Sequence, residues 1–361
     1  MIQFGIQFFP NVGPETKSAR QYFDECLRLV DLVDELGYAN VRIVEHYFHP
    51  YGGYSPSPLL FLAAASQRTR TARLIAGAVL PVFNHPLKLA GEIGMLDALS
   101  EGRLEVGFAR AFLPHEFESF GIDLDSSRRR FDEGIEQVRL LLEQPQASSQ
   151  GEFHAFENVT SLPRPTQRSR PPFWVAAYAT PESFANAGTK GHGIMAIPMA
   201  GSRIRELSAL YRGAWRDAGH AGEGKVMLAF HMYCAPSRRE AIATAKGPID
   251  RYLRSLVDAS SGWRGDRASS AYPGYPELIE RLSKESFESQ LEKGAAWVGD
   301  PDSIAEQVVR LWHETGGFDI ASLQVNFNTL DADLAAASMR LFSQEVVPRV
   351  RRAIADGRGA A

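Results

Sequence analysis

The sequence predicts an α/β protein built as a closed (β/α)8 barrel with insertions, including a mobile lid after strand seven. Three observations predict it. Strand-like and helix-like segments alternate almost from end to end, the strand-like segments number eight, and no glycine-rich dinucleotide turn follows the first strand. The last point counts against an open doubly wound sheet, whose first turn is glycine-rich, whereas this chain has Phe9-Pro10-Asn11-Val12 there. A length of 361 residues suits one such barrel, since these run from roughly 200 to more than 400 residues.

The elements follow in order. Ile2 to Phe9 alternates, with Ile2, Phe4, Ile6 and Phe8 on one face and Gln3, Gly5 and Gln7 on the other, which is the period of a strand. Residues 18–36 read as a helix striped by Phe23, Leu27, Val30, Leu32 and Val33, with Gly37 at the position of a C-terminal cap. Strands are expected at 40–44, 74–80 and 104–108, with helices at 58–68, 86–99 and 130–142. The Pro-, Ser- and Gln-rich stretch 143–172 reads as a surface excursion with a small hairpin near 151–156. Strands at 173–177, 194–197 and 226–233 come next, with helices at 181–189, 202–218 and 238–256. A long irregular stretch at 258–293 is expected to be the lid. A helix at 301–314, strand eight at 321–327 and a helix at 332–351 complete one domain over residues 1–361, with 357–361 fraying.

Composition excludes several functions. Lys and Arg number 39 against 43 Asp and Glu, a net charge of −4, so a phosphate-backbone partner is not expected. No apolar run reaches the roughly 18 residues of a membrane span, and MIQFGIQFFP does not read as a signal peptide. A cytoplasmic location is expected. Cys26 and Cys234 form neither a disulfide framework nor a metal set and read as packing residues. Arg264-Gly265-Asp266 is treated as a chance match to an adhesion tripeptide.

A barrel carries its site at the C-terminal ends of its strands. Strand two ends at Glu45-His46-Tyr47-Phe48, strand four at Ala109-Arg110, strand five at Ala177-Tyr178-Ala179-Thr180, and strand seven carries His231. His46 can act as a general base or hydrogen-bond donor near neutral pH, with Glu45 orienting or tuning it. His46 and His49 lack further ligands, so no metal is expected. Thr180-Pro181-Glu182 is a helix start whose free N–H groups can hold a phosphate, with Arg110 and one arginine of Arg128-Arg129-Arg130 as partners.

Six segments, in this order and spacing, carry a family resemblance: VRIVEHYF at 41–48, HPLKLAGEIGMLDALSEGRLEVGFARA at 85–111, HEFESFGID with RRRFDEGIEQV across 115–138, LPRPTQ and PPFWVAAYATPES across 162–183, WVGDPDSIAEQV at 297–308 and MRLFSQEVVPRV at 339–350. Together they resemble the bacterial luciferase-like flavin-dependent monooxygenases over nearly the whole chain. The resemblance implies a TIM barrel that takes reduced FMN (FMNH2) from a separate NAD(P)H:flavin reductase. It also implies O2 as co-substrate and oxidation of a small organic molecule through a C4a-peroxyflavin.

By the same resemblance, His46 falls on the family's catalytic histidine, with Glu45 beside it and Glu116 where luciferase has an aspartate. Gly77 and Ala78 fall on a non-prolyl cis peptide beneath the flavin ring, and Ala109 replaces luciferase's reactive cysteine. Arg110 and Arg128 fall on phosphate-binding arginines, and Tyr178, Ala179 and Thr180 on the phosphate loop. The aldehyde pocket does not carry over, so neither light emission nor a long-chain aldehyde is expected. Phe9, Tyr47, Phe112 and His231 are expected to line a pocket for an apolar or aromatic substrate. A homodimer is the family's usual assembly. The competing readings are a deazaflavin-dependent oxidoreductase doing hydride transfer on the same barrel and a non-catalytic flavin-binding subunit.

Overall fold

Alternation along each strand separates an outer face, which meets the helices, from an inner one. The computed structural model describes residues 2–263, 269 and 271–358. Its strands are β1 Gln3–Phe8, β2 Asn40–Ile43, β3 Arg73–Val79, β4 Leu104–Phe108, β5 Ala147–Gln150, β6 Ala155–Val159, β7 Phe173–Ala176, β8 Gly193–Ala196, β9 Val226–Cys234, β10 Ala296–Gly299 and β11 Ile320–Asn326. The apolar face of β1 turns outward: Phe4 packs edge-on against Phe342 at 5.3 Å and Phe8 against Phe61 at 5.5 Å. Each buried phenylalanine contributes roughly 1.5–3 kcal/mol through the surface it removes from water. Gln3, Gly5 and Gln7 are left on the barrel's inner face.

Eight parallel strands close the barrel in the order β11-β1-β2-β3-β4-β7-β8-β9, with β9 pairing back onto β11. β5 and β6 form the expected antiparallel hairpin inside the 143–172 excursion. The excursion is tied down by buried Asp97, which accepts from the Gln167 backbone N–H at 2.9 Å and from its side-chain amide at 2.7 Å. Inside, Ile75, Trp174, Met195, Met227 and Ile320 pack as an apolar floor. Trp174 donates to Glu105 at 2.7 Å, and Arg73 bonds the same carboxylate at 2.8 Å, so no polar atom of this trio is stranded.

Helix starts follow proline: Pro58, Pro86, Pro114, Pro181 and Pro301 each occupy the first turn, where a missing N–H costs nothing. Several expectations shift. The first helix covers Ala19–Val30, after which i→i−3 bonds at Leu32 and Val33 tighten the chain before Gly37 reverses it at φ +71°. The irregular stretch contains short helices at Tyr275–Leu282 and Phe287–Glu292. β10, a further strand too short to show alternation, pairs alongside the upper half of β9, with Ala296 opposite His231. The last helix is interrupted by a π turn at Phe342–Val346. Arg264-Gly265-Asp266 and residues 359–361 lie outside the described residues. Among the described residues, no helix is long and apolar enough to cross a membrane.

The helix Pro86–Leu99 meets the excursion at Gly94, where a Cβ would stand 2.1 Å from the Pro163 carbonyl oxygen. Gly94→Ala is therefore expected to lower stability by about 1–3 kcal/mol through overpacking. Urea unfolding midpoints of the two proteins check this.

Candidate active site

The exits of β2 and β4 meet at His46. Its backbone N–H donates to the Ser55 carbonyl at 3.1 Å, and Gly52, at φ +86°, packs so tightly on it that a Cβ would lie 2.4 Å from the His46 Cβ. Glu116 arrives on the short helix Pro114–Phe120, and its side chain is fully buried. Its Oε1 lies 3.0 Å from His46 Nδ1 and accepts the Tyr47 backbone N–H at 2.9 Å. A carboxylate oxygen accepts from both, so Nδ1 carries the proton and Nε2 is the nitrogen left for chemistry. Phe9, Tyr51 and Phe112 surround the imidazole at ring-centroid distances of 5.5, 5.6 and 6.2 Å. The arrangement can hold a proton at one defined atom beside an aromatic wall.

Glu45 does not orient His46. The two side chains leave the strand end in opposite directions, as neighbours in extended chain must. Glu45 accepts from the Leu80 N–H at 3.1 Å, the Asn84 amide at 2.8 Å and the Tyr47 hydroxyl at 2.5 Å. It ties the β2 exit to the β3 exit. Burial pushes its carboxyl up to about 7, against those bonds. Tyr47 is likewise drawn away from the expected pocket wall, packing on Phe83 at 5.8 Å and Phe120 at 4.9 Å. Phe9, Phe112 and His231 do share one region: Tyr252 lies 5.4 Å from Phe9 and 4.7 Å from His231.

Below His46 the barrel interior is polar, which residue-by-residue reading of the strand ends missed. Cα register places His231, Gln324, Gln7 and Arg42 side by side across β9, β11, β1 and β2. Arg42 donates from Nε to the Gly77 carbonyl at 3.0 Å and from Nη1 to Gln7 Oε1, which also accepts from Ser322 at 3.1 Å. The signal was present in an arginine within the apolar run VRIV and in the Gln3–Gly5–Gln7 face of β1. The peptide between Gly77 and Ala78 is cis. A Cβ on Gly77 would meet Arg42 Nε at 2.2 Å, so only glycine fits there.

β4 and β7 are neighbours, with Phe108 opposite Val175, so Ala109-Arg110 and Tyr178-Ala179-Thr180 emerge side by side. Ala109 packs with Ala78 and the barrel floor. The Arg110 guanidinium lies 4.0 Å from the Tyr272 ring centroid, and its Nη1 is buried without a hydrogen-bond partner. Tyr272 closes over it by donating to the Ala111 carbonyl at 2.7 Å, and Trp263 donates to the Phe112 carbonyl at 2.7 Å. The segment after β9 is thus packed on the β4 exit. Thr180 caps the helix Pro181–Thr189 without a side-chain bond to its first turn. Arg128 is exposed and, among the described residues, makes no ion pair, whereas Arg129 pairs with Glu152 at 3.0 Å and Arg130 lies over Phe153. Burial pushes both thiols up, Cys234 to about 12, in keeping with packing roles.

A closed parallel barrel with a carboxylate-held histidine at its C-terminal end is an enzyme-type site. Residues 2–318 match the family model described as luciferase-like monooxygenase. The chain belongs to that family. It is 31% identical over 360 residues to the oxygenase component of the flavin-dependent trigonelline monooxygenase of Acinetobacter baylyi, covering 96% of this chain and 95% of that protein. Among solved structures it is similar to the monooxygenase RslO1 from Streptomyces bottropensis, with 42% identity, a TM-score of 0.85 and coverage of 96% and 99%. The fold is also that of the oxygenating constituent of 3,6-diketocamphane monooxygenase from Pseudomonas putida, in complex with FMN, with a TM-score of 0.81, 22% identity and coverage of 97% and 99%.

Glu45 gives a pH test. Its folded-state pKa of about 7 lies above the ordinary value of 4.5. Between those values the folded protein keeps a proton that the unfolded chain releases, so stability falls as pH rises through this window. Glu45→Gln is expected to flatten that fall by an amount on the order of 2–3 kcal/mol. Urea midpoints measured from pH 4.5 to 7.5 for both proteins check it; parallel curves would refute it.

Proposed function

We propose that this chain is the oxygenase component of a two-component monooxygenase that binds reduced FMN, supplied by a separate reductase, and oxidises a small organic molecule with O2. The observation that carries the reading is Arg110: a buried guanidinium nitrogen without a partner at the β4 exit, beside the Tyr178–Thr180 helix start. A buried guanidinium N–H left without an acceptor is costly, and a phosphate at an N-terminal helix end is the ligand chemistry that satisfies both. Among the described residues no carboxylate pairs with Arg110. Ala78 and Ala109, packed together beside Gly77, are small residues on which a flat ring can lie. These residues fit FMN.

Arg110, Arg128 and the backbone of Tyr178, Ala179 and Thr180 would hold the phosphate, and Gly77 and Ala78 would support the ring. When bound, reduced FMN supplies the electron pair that activates dioxygen for transfer of an oxygen atom. His46 holds or moves a proton at Nε2, and Glu116 keeps the ring in that tautomer. Phe9, Tyr51 and Phe112 keep water from that nitrogen. Tyr272 and Trp263 cover the phosphate end as a lid. The flavin-dependent relative in Acinetobacter and the FMN-bound structure support the choice of flavin.

Anaerobic titration with FMNH2, followed by rapid mixing with O2, tests the proposal. Bound FMNH2 is expected to return to oxidised FMN at a rate distinct from that of free FMNH2. Binding of the reduced deazaflavin in preference to FMNH2 would overturn it. Arg110→Ala is expected to weaken flavin binding by about 10–100-fold, the worth of a charged hydrogen bond. His46→Ala is expected to lower substrate-coupled turnover by about 10²–10⁴-fold with flavin affinity retained. Unchanged flavin affinity in the arginine variant would remove its assigned role.

A further inference from the structure

The inner row His231–Gln324–Gln7–Arg42 has more donors than partners. Arg42 spends Nε on the Gly77 carbonyl and Nη1 on Gln7. Among the described residues no carboxylate pairs with it, whereas Arg73 is matched by Glu105. Gln7 cannot neutralise it, and its Oε1 already serves Arg42 and Ser322. Burial lowers the Arg42 pKa only to about 10, so it stays a cation at neutral pH.

Two polar atoms in this row are buried without a partner among the described residues. Gln324 is 2% exposed and His231 8%, and neither Gln324 Nε2 nor His231 Nε2 has a hydrogen bond. Burial holds the His231 imidazole neutral, with a pKa lowered to about 4, so it adds no second charge. Unpaired polar atoms at this depth cost about 1–3 kcal/mol each, and several on adjacent strands in register form a surface that a ligand would satisfy. The surroundings are aromatic: Tyr252 and Phe327 flank His231 at 4.7 and 5.4 Å, and Tyr51 joins its hydroxyl to that of Tyr252 at 3.3 Å.

We propose that this row is the anchoring site for the carboxylate of an aromatic acid, with Arg42 as the residue that selects an anionic substrate. A carboxylate accepts only, is planar, and matches a guanidinium and amide donor pair. The aromatic walls take the ring. Arg42 also holds the Gly77 carbonyl, so the acid group would be docked next to the Gly77–Ala78 segment, on the same inner face as His46. The proposal deepens the proposed function and rests on it for the word substrate.

The test uses the purified full chain, titrated calorimetrically with benzoate, benzamide, 2-naphthoate and 2-naphthamide, with and without saturating FMN. At least one acid is expected to bind about 10-fold or more tightly than its amide, the scale of one charge-assisted contact. Arg42→Gln is expected to erase that preference in the FMN-free protein. Gln324→Met, which keeps the volume and removes the donor, is expected to weaken acid binding about 3–10-fold. Equal or absent binding of acids and amides overturns the proposal, and so does a parallel loss of FMN affinity in Gln324→Met, which would assign the row to the flavin. If Arg42→Gln does not fold, Gln324→Met decides by the same comparison. Failure of the flavin reading is seen separately, as a wild-type chain that prefers the acids but binds no FMN.

Discussion

Closure of eight parallel strands is the constraint from which the site follows. Once β9 pairs with β11, alternate residues of every strand share one interior, and register decides which of them become neighbours. His231, Gln324, Gln7 and Arg42 come from strands spread over 317 positions of the chain, from Gln7 to Gln324, yet the ladder sets them in one row. The apolar faces of the same strands turn outward into the helix layer. This inversion, polar within and apolar between the layers, lets the scaffold carry charged groups at its centre above a floor of Ile75, Trp174, Met195, Met227 and Ile320.

The site then divides its labour between neighbouring carboxylates. Glu45 and Glu116 are both buried near the β2 exit, but one braces backbone and the other holds a ring. Glu45 receives donors from Leu80, Asn84 and Tyr47, and so joins two strand exits. Glu116 reaches His46 and the Tyr47 amide from the next strand but one, and so links the β2 and β4 exits. At the far side, the tyrosines and tryptophan that follow β9 settle on Arg110 and on the carbonyls beside it. A charged group and its cover thus follow strands three steps apart in the barrel order, β4 and β9.

The succession of barrel strands and the two faces of β1 were legible because they depend on local pattern, as did the proline-led helix starts at Pro58, Pro86, Pro181 and Pro301; which face of β1 turns outward was not. His46 and Arg110 could be singled out by their strand-end positions alone. The partner of His46 could not: Glu116 is 70 residues away, while Glu45 is adjacent and points elsewhere. β10 escaped notice since four buried residues show no alternation. The helix Tyr275–Leu282 was hidden in a stretch rich in Gly, Ser and Pro.

What this sequence determined by itself was the number and chain order of its eight barrel strands and the residues that stand at their exits, because those properties depend on spacings of two and of three to four along the chain. Tertiary structure alone decided which exits meet: the Glu116 clasp on His46, the row under it and the tyrosine over Arg110. Such contacts depend on barrel register and on side-chain directions between distant segments, and no short window of sequence contains that information.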